Sequence, residues 1–216
     1  MTSHNRRLAL LLSLLLFIPT MGQEQQPELP SAKKRAVYGN GYYVSPSRFD
    51  YSAFTATITG DCQTKLEQAK AIYLWICQHI SYDTRTDIRT ADEAVTIRRA
   101  VCQGYCELFY RMAETVGLKV QLVYGRSRNS KGYEEEHSWL SVKTEEGEIL
   151  MDPTWGAGSV VDGQFRHNTT PLVWFNPDPE VFIHTHLPQN KKHQHLQVPI
   201  TPEAFDSLEY VRPAVD

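Results

Sequence analysis

The sequence predicts an α+β fold in which a helix that begins at a cysteine packs on an antiparallel β-sheet. Two stretches in the first half repeat apolar residues at helical spacing, and three short stretches after them are rich in apolar and β-branched residues. Helical stretches followed by a run of strands are typical of a domain whose helices and sheet form separate layers. The 216-residue chain is long enough to bury a hydrophobic core.

The first 22 residues have the layout of a cleavable export signal. Arg6 and Arg7 precede an apolar run from Leu8 to Ile18, and small and polar residues follow around Gly22. The run is too short to span a bilayer comfortably, so no stable membrane anchor is expected. We predict a signal peptide over 1–22, a polar, proline-bearing linker over 23–35 and one domain over 36–216. This organisation predicts a secreted or periplasmic protein.

The charge of the chain argues against a nucleic-acid partner. The formal net charge is −3, and removal of a signal with two arginines and no acidic residue makes it about −5. Domains that bind nucleic acid usually carry a basic patch or stripe.

The first half of the domain predicts two helices. One covers "CQTKLEQAKAIYLWICQHI", with Asp61 before it as the predicted N-cap. Short extended segments are expected earlier, at "YYVS" and "FTATIT", and a polar loop with a short helix is expected later, at "SYDTRTDIRTADEAVTIRRA". The second helix is predicted from about Cys102 to Val116, because Gly117 stands where a helix C-terminal glycine belongs.

The second half predicts three strands, "LKVQLVYG", "HSWLSVKT" and "EILMDPTW", and the turn "TEEGE" joins the last two as a hairpin. If this turn is centred on Glu145 and Glu146, the numbers of opposed residues sum to 291. Trp139 then faces Asp152, and His137 faces residue 154, so that His137 and Asp152 share one face as diagonal neighbours. Pro153 favours extended backbone at Asp152. The tail is expected to be irregular and to end in a short helix, "TPEAFDSL".

Cys102 occupies the first turn of the second predicted helix, where free N–H groups and the helix dipole favour a thiolate. Cys106 lies one turn further on, on the face that is expected to pack in the core. A bridge between them is disfavoured because helix neighbours hold their Cβ atoms about 5–6 Å apart, whereas a disulfide needs about 3.5–4.5 Å. Cys62 and Cys77 lie too far apart on one helix. A pairing of Cys77 with Cys106 stays open.

A thiol nucleophile needs a base, and the base needs an orienting group. His137 and Asp152 are the candidates, and the order cysteine, histidine, aspartate is that of papain-like thiol catalysis. Each residue alone is more often structural, so the prediction rests on the three together.

Three motifs resemble those of the transglutaminase-like superfamily. "AVCQGYCELFYRMAETVGL" is similar to its G-V-C-x-G-Y cysteine motif, "HSWLSV" to H-A-W, and "MDPTWGAG" to D-P-T-W. The downstream "FNPDPEVFIHTHLPQNKKHQHLQVPITPEAF" resembles the continuation in the kyphoscoliosis peptidase and cytokinesis-protein branch, so the resemblance covers roughly 65–205. Four positions depart from the pattern and leave substrate preference open: Ala100, Cys106, Ser138 and Leu140.

The resemblance implies a papain-like or transglutaminase-like core with Cys102 as nucleophile, His137 as general base and acid, and Asp152 as the orienting carboxylate. Such a site forms a thioester from an amide and passes the acyl group to water or to an amine. We expect a peptidase or amidase more than a cross-linking enzyme, with a protein or peptide substrate, for which cell-wall peptide is one candidate. No cofactor or metal is expected.

The oxyanion of such a reaction needs hydrogen-bond donors. The backbone N–H of Cys102 is the first expected donor, because it points outward at the helix start. Gln103, Tyr82 and Trp139 are the candidates for a second donor and for the substrate groove.

Other interpretations remain at this stage. One alternative is a catalytically inactive binding module whose groove only holds a peptide or polysaccharide. Another is a zinc-binding domain in which Cys102 and Cys106 bind the metal together with histidines. The H-x-H pairs at 184–186 and 193–195 are expected to be surface or packing residues rather than metal ligands. The acidic run 134–136 is expected to be a solvated loop that favours a charged His137. Asn168 in "NTT" matches a glycosylation acceptor.

Overall fold

The computed structural model describes residues 36–38, 41–43, 49–83 and 85–214. The predicted signal peptide (1–22) and linker (23–35) lie outside the described residues. The helices are α1 Tyr51–Thr59, α2 Lys65–His79, α3 Ala91–Ile97, α4 Cys102–Thr115, α5 Pro153–Ala157, α6 Pro179–Phe182 and α7 Pro202–Asp206, with 3-10 turns at Pro171–Trp174 and Lys191–Gln194. Among these described helices, none is long and apolar enough to cross a membrane.

The strands are β1 Ala36–Tyr38, β2 Gly41–Tyr43, β3 Ser81–Tyr82, β4 Arg99–Ala100, β5 Lys119–Arg128, β6 Glu134–Thr144, β7 Gly147–Met151, β8 Gly158–Val161, β9 Gln164–His167 and β10 His186–Pro188. The main sheet has the order β10-β5-β6-β7, and all of its neighbours are antiparallel. Helix α4 packs on β5 and β6, and α2 packs on α4. The predicted α+β architecture, with a cysteine-initiated helix on an antiparallel sheet, is confirmed.

The predicted register of the last hairpin is confirmed where the strands pair. Leu140 pairs with Met151 and Ser141 with Leu150, so that opposed numbers sum to 291. The predicted pairing of Trp139 with Asp152, and of His137 with residue 154, is wrong because β7 ends at Met151. The Asp152 N–H donates to the carbonyl of Trp174 instead, at 2.9 Å, and the Asp152 side chain caps helix α5.

Helix α4 has the bounds that the sequence predicts to within one residue. Gly117 follows it with a φ of +73°, a left-handed conformation that favours glycine. Cys106 is fully buried in the core, as expected.

The segment "FTATIT" was expected to be extended and is instead part of helix α1. Asp50 caps this helix by accepting a hydrogen bond from the Ala53 N–H at 2.9 Å. Its buried residues are Tyr51, Phe54, Thr55 and Thr59, a spacing of three and four that forms one helical face. Burial of this face therefore outweighs the preference of the β-branched residues for a strand. On this face, Phe54 packs against the Trp75 ring.

The predicted N-cap of the next helix is also corrected. Helix α2 begins after Thr64, not after Asp61, because Thr64 and Glu67 form a capping box. The Thr64 hydroxyl accepts from the Glu67 N–H, and the Glu67 carboxylate accepts from the Thr64 N–H, both at 3.1 Å. The loop before α4 contains the expected short helix, α3, and a short parallel pairing of β3 with β4 that the sequence did not predict.

Two further expectations change in the second half. The acidic run 134–136 is not a loop but the start of β6. Its Glu134 forms a salt bridge of 2.9 Å with Arg126. The tail ends in the predicted short helix α7, yet it also supplies β10, which pairs with β5 at the edge of the sheet. This added strand brings His186 to the site described below.

Candidate active site

Cys102 is the first residue of α4 and is partly buried. Val101 precedes it in extended conformation and provides no side-chain cap, so the first N–H groups of the helix stay available. Gly104 lets this end of the helix lie close to the preceding loop, since a Cβ atom there would stand 2.5 Å from the Ile88 carbonyl oxygen. The helix start is therefore fixed by close packing and leaves its donors open.

His137 and Asp152 are joined by a hydrogen bond of 2.9 Å from Nε2 to Oδ2. His137 projects from β6, and Asp152 follows β7 with extended backbone, as predicted from Pro153. The other carboxylate oxygen, Oδ1, accepts from the N–H groups of Thr154 (2.8 Å) and Trp155 (3.1 Å). The carboxylate is thus held by the helix that it caps, with one oxygen directed at the histidine.

His137 also interacts with Cys102, because it lowers the pKa of the thiol. Nε2 is engaged by Asp152, which leaves Nδ1 as the ring nitrogen available to the thiol. Ser138 lowers the pKa of the same thiol through its side chain and its backbone. His137 and Asp152 are therefore joined directly, and Cys102 lies within the electrostatic reach of His137.

The electrostatics of this chain favour separated charges. Burial opposes ionisation of Cys102, but the hydrogen bond and charge of His137, with the bonds of Ser138, lower the pKa of the thiol. Burial likewise opposes a charged His137, but Asp152 and then Cys102 raise its pKa to about 10. His137 and His186 hold the pKa of the buried Asp152 well below its usual range. These interactions shift the pair toward a thiolate beside an imidazolium.

A second histidine, His186, contacts the same carboxylate. Its Nε2 lies 3.1 Å from Oδ2 of Asp152, and its Nδ1 lies 2.8 Å from the Thr185 hydroxyl. The ring is stacked on Phe182 with centroids 4.0 Å apart and is 1% exposed. The sequence placed His186 only in an H-x-H pair, so its contact with Asp152 was missed; its fit to the resemblance downstream was the one available signal.

The three candidates for a second oxyanion donor lie in different places. Tyr82 lines the open cavity described below, and the charge of Cys102 contributes, after burial, to raising its pKa to about 12. Gln103 points away, toward Arg89 at 3.4 Å. Trp139 is fully buried, with its ring between those of His137 (6.2 Å) and Phe182 (6.1 Å). Of the three, Tyr82 is the one that lines this cavity together with His137.

An open cavity of about 610 Å³ lies over His137. Its walls come from several elements, including Tyr82, Glu135, Trp155, Arg166, Trp174 and Tyr210. Aromatic rings beside a few polar and charged groups are typical of a surface that binds an extended ligand.

The four cysteines are free thiols, so the open pairing of Cys77 with Cys106 is not formed. Burial raises the pKa of both buried thiols, Cys77 and Cys106. Among the four, Cys102 alone has a lowered pKa. This difference separates Cys102 from Cys106, the neighbour one turn away.

The C-terminal histidines have separate partners. His184 hydrogen-bonds the Glu209 carbonyl, His193 bonds Gln121, and His195 bonds Ser141. Among the described residues, the group whose donor atoms could hold a metal ion is His137, Asp152 and His186, with these atoms within 4.8 Å of one another. Both Nε2 atoms instead face Asp152 Oδ2 in this structure.

Comparison with known proteins agrees with this geometry. Residues 52–153 match the family model described as Transglutaminase-like superfamily. Kyphoscoliosis peptidase of Homo sapiens is 33% identical over 166 residues, which cover 69% of this chain and 25% of that protein. Hillarin of Drosophila melanogaster is 27% identical over 201 residues, covering 78% and 24%. The chain thus spans about a quarter of the length of these relatives.

Among solved structures, the periplasmic domain of TgpA from Pseudomonas aeruginosa is similar with a TM-score of 0.41 and 16% identity, over 56% of this chain and 45% of that one. The family model covers the cysteine and histidine motifs and reaches the aspartate and proline that follow β7. Residues 52–153 of this chain therefore form a transglutaminase-like domain.

Proposed function

We propose that this protein is an exported, cysteine-dependent enzyme that transfers the acyl group of an amide, with Cys102, His137 and Asp152 as its catalytic residues. The observation that carries the proposal is the 2.9 Å hydrogen bond between His137 and Asp152, beside a cysteine at the start of α4 whose thiol pKa is lowered by His137. The lowered pKa of Cys102 and the raised pKa of His137 supply the nucleophile and the acid in one site.

The reaction follows from these charges. The Cys102 thiolate attacks the amide carbonyl carbon, and the π electrons of the carbonyl move to oxygen. His137 gives its Nδ1 proton to the departing amine as the C–N bond breaks, which leaves a thioester on Cys102. Water or an amine then attacks the thioester, His137 accepts its proton, and the C–S bond breaks to regenerate the thiolate.

The oxyanion of this reaction has one donor at the start of α4, the N–H of Cys102, because Val101 provides no cap there. We assign the second donor to Tyr82, whose ring lines the cavity over His137. Its raised pKa keeps the hydroxyl protonated over the working range, as a hydrogen-bond donor must be.

We propose a protein or peptide as the substrate and hydrolysis as the main outcome. The cavity over His137 is open and lined by aromatic rings, which suits an extended chain bound beside the proposed base. The name of the relative kyphoscoliosis peptidase supports hydrolysis over cross-linking. Cell-wall peptide is one substrate that an exported enzyme would meet.

Export is proposed from residues 1–22, whose arginines, apolar run and small residues form a signal-peptide pattern. This point is tested by collecting the protein that its host releases and measuring the mass of its N-terminal peptide. Cleavage near Gly22 supports export, whereas a protein that keeps Met1 or Thr2 and stays with the cytoplasm contradicts it.

The proposed chemistry is tested by trapping the thioester. The full chain is mixed with a peptide library, quenched at low pH and analysed by mass spectrometry for an acyl adduct on Cys102. Cys102→Ala and His137→Ala are the matched controls, and an added primary amine shows whether water or the amine accepts the acyl group. Peptide binding without adduct or product would instead indicate an inactive binding module.

A further inference from the structure

One oxygen of Asp152 serves two histidines. Oδ2 lies 2.9 Å from Nε2 of His137 and 3.1 Å from Nε2 of His186, while Oδ1 accepts from the N–H groups of Thr154 and Trp155. An ionised carboxylate has about four acceptor positions. The carboxylate is 0% exposed, and these four N–H groups fill those positions where water cannot reach.

The tautomer of His186 follows from its two neighbours. Asp152 is ionised and can only accept, so Nε2 of His186 must carry a hydrogen. Burial lowers the pKa of His186 to about 4, which leaves the ring neutral and Nδ1 without a hydrogen. The Thr185 hydroxyl has one hydrogen and two acceptors within reach, Nδ1 of His186 at 2.8 Å and the Phe182 carbonyl at 3.0 Å.

The packing around His186 keeps its ring in this orientation. The ring stacks on Phe182, and the ring of Trp155 lies with its centroid 4.6 Å away and that of Trp139 at 5.0 Å. Strand β10 holds the backbone in place by pairing residue 186 with residue 127 of β5. His186 does not touch Cys102 in any contact of the structure, so any effect on the reaction must pass through Asp152.

The other titratable and charged groups near these residues form two sets. Burial raises the pKa of the surrounding hydroxyls and thiols, which are Tyr73, Tyr82, Tyr105, Cys77 and Cys106. The cavity over His137 is also lined by the charged or titratable residues Glu135, Arg166, His167 and Arg212. The hydrogen bonds of the Asp152 carboxylate go instead to His137, His186 and the N–H groups of Thr154 and Trp155.

We propose that His186 is a positioning residue for Asp152. It occupies the second acceptor position of Oδ2 and so weakens the hydrogen bond of the carboxylate to the His137 imidazolium. A carboxylate that accepts another hydrogen bond carries less charge toward its first partner. His186 thereby makes the His137 proton easier to release to the leaving amine. The proposed function gives this effect its catalytic meaning, but the effect itself is a property of His137.

The test measures the titration of His137 by the ¹⁵N shifts of its ring. The background is Cys102→Ala, because the thiolate is a further cause of the raised pKa of His137 and its removal brings the titration to lower pH. His186→Met removes the donor with little change in volume. His186→Gln is the matched control, since its terminal amide has the reach of Nε2 and retains a donor.

We expect the midpoint of His137 to rise by about one pH unit in His186→Met, from the loss of one hydrogen bond to a charged group, and to stay near the background value in His186→Gln. If His186 had only a structural role, the variants would lose thermal stability without a difference between their His137 midpoints. Equal midpoints in the two variants, or a lower one in His186→Met, would overturn the proposal.

If His186→Met does not fold, the wild-type spectrum decides. The neutral tautomer with hydrogen on Nε2 is expected for His186 between about pH 6 and 8. A charged ring or hydrogen on Nδ1 alone at pH 7 would contradict the proposal. None of these results depends on turnover, so the proposal fails separately from the proposed function, which the thioester experiment tests.

Discussion

The Nε2 atom of His137 lies 2.9 Å from Oδ2 of Asp152, and this bond decides which ring nitrogen faces Cys102. The carboxylate is buried and caps α5, and it accepts from Nε2 of His137, which leaves Nδ1 as the ring nitrogen available to the thiol. The lowered pKa of Cys102 and the raised pKa of His137 are both consequences of this orientation.

The first prediction concerns the reactivity of Cys102. In His137→Ala the thiol loses its hydrogen bond and its positive neighbour while burial remains, so we expect its pKa to rise above the ordinary thiol value. Iodoacetamide labelling of Cys102 at pH 6.5 should slow at least about tenfold, the factor of one pKa unit. Peptide mapping by mass spectrometry measures the rate.

Cys106→Ala is the control for this experiment, because Cys106 is buried and its thiol stays protonated. The variant should label at Cys102 as fast as wild type. Equal rates in wild type and His137→Ala would show that the histidine does not activate the thiol.

The second prediction concerns stability and pH. The folded pKa of Cys102 is lowered, so its ionisation contributes stability that is present above the unfolded thiol pKa of about 8.5 and is lost as pH falls through the folded pKa. His137 has the opposite sign, because its raised pKa gives stability that is lost as pH rises from about 6.5 toward about 10. Above the folded pKa of Cys102 and below about pH 8.5, these two slopes oppose each other in the wild type.

Cys102→Ala removes the slope of Cys102 and leaves that of His137, which ends at lower pH because the thiolate no longer raises the pKa of His137. The difference in unfolding free energy, wild type minus Cys102→Ala, should therefore rise with pH above the folded pKa of Cys102 and below the pKa of His137 in the variant, by up to about 1.4 kcal/mol per pH unit. Urea denaturation at four pH values measures it, and other titrating groups drop out of the difference. A difference that is independent of pH would mean that Cys102 is a neutral thiol in the folded protein.

Short-range patterns in the sequence predicted the part of the site that depends on the hairpin. The alternation of apolar residues along β6 and β7, with a short turn, was enough to set the register and to bring His137 and Asp152 together. Helical spacing and a terminal glycine placed Cys102 at the start of α4. These signals lie within elements, where period and turn chemistry decide the structure.

The contact of His186 with Asp152 could not be predicted in this way. The two residues are 34 positions apart, and they meet because the three-residue strand β10 pairs with the edge of the sheet. A strand this short carries no usable period, and its pairing is decided by tertiary packing. The extended prediction for "FTATIT" failed for a related reason, because burial of one helical face outweighed the preference of β-branched residues for strands.

The third prediction tests how β10 is held. A Cβ atom at Gly125 would clash with the Leu187 carbonyl oxygen and lie 2.7 Å from the Trp139 ring, so Gly125→Ala should push β10 away from β5. We expect a loss of about 3 kcal/mol of stability, together with slower Cys102 labelling, since Gly125 pairs with His137 of β6 and a shift of this backbone moves the histidine. Urea denaturation and labelling at pH 6.5 measure the two effects.

The control for this substitution is Gly60→Ala. Gly60 has right-handed backbone angles, and the nearest atom to its added Cβ is the Ala56 carbonyl oxygen at 3.1 Å. Its stability should stay within about 1 kcal/mol of wild type. If Gly125→Ala behaves like this control, the close approach of β10 to β5 is not needed for the site.

The last prediction concerns the oxyanion and applies once a peptide substrate is in hand. Tyr82→Phe removes the hydroxyl and keeps the ring in the cavity wall, so substrate binding should change little. Because an oxyanion donor acts in the transition state, kcat should fall by about 10²-fold while KM stays within a few-fold. Tyr133→Phe is the matched control, since Tyr133 is 71% exposed and does not line this cavity. The iodoacetamide rate of Cys102 should be preserved in Tyr82→Phe, which separates loss of the donor from damage to the thiolate. A kcat within twofold of wild type would leave the second donor to another group and refute the role of Tyr82.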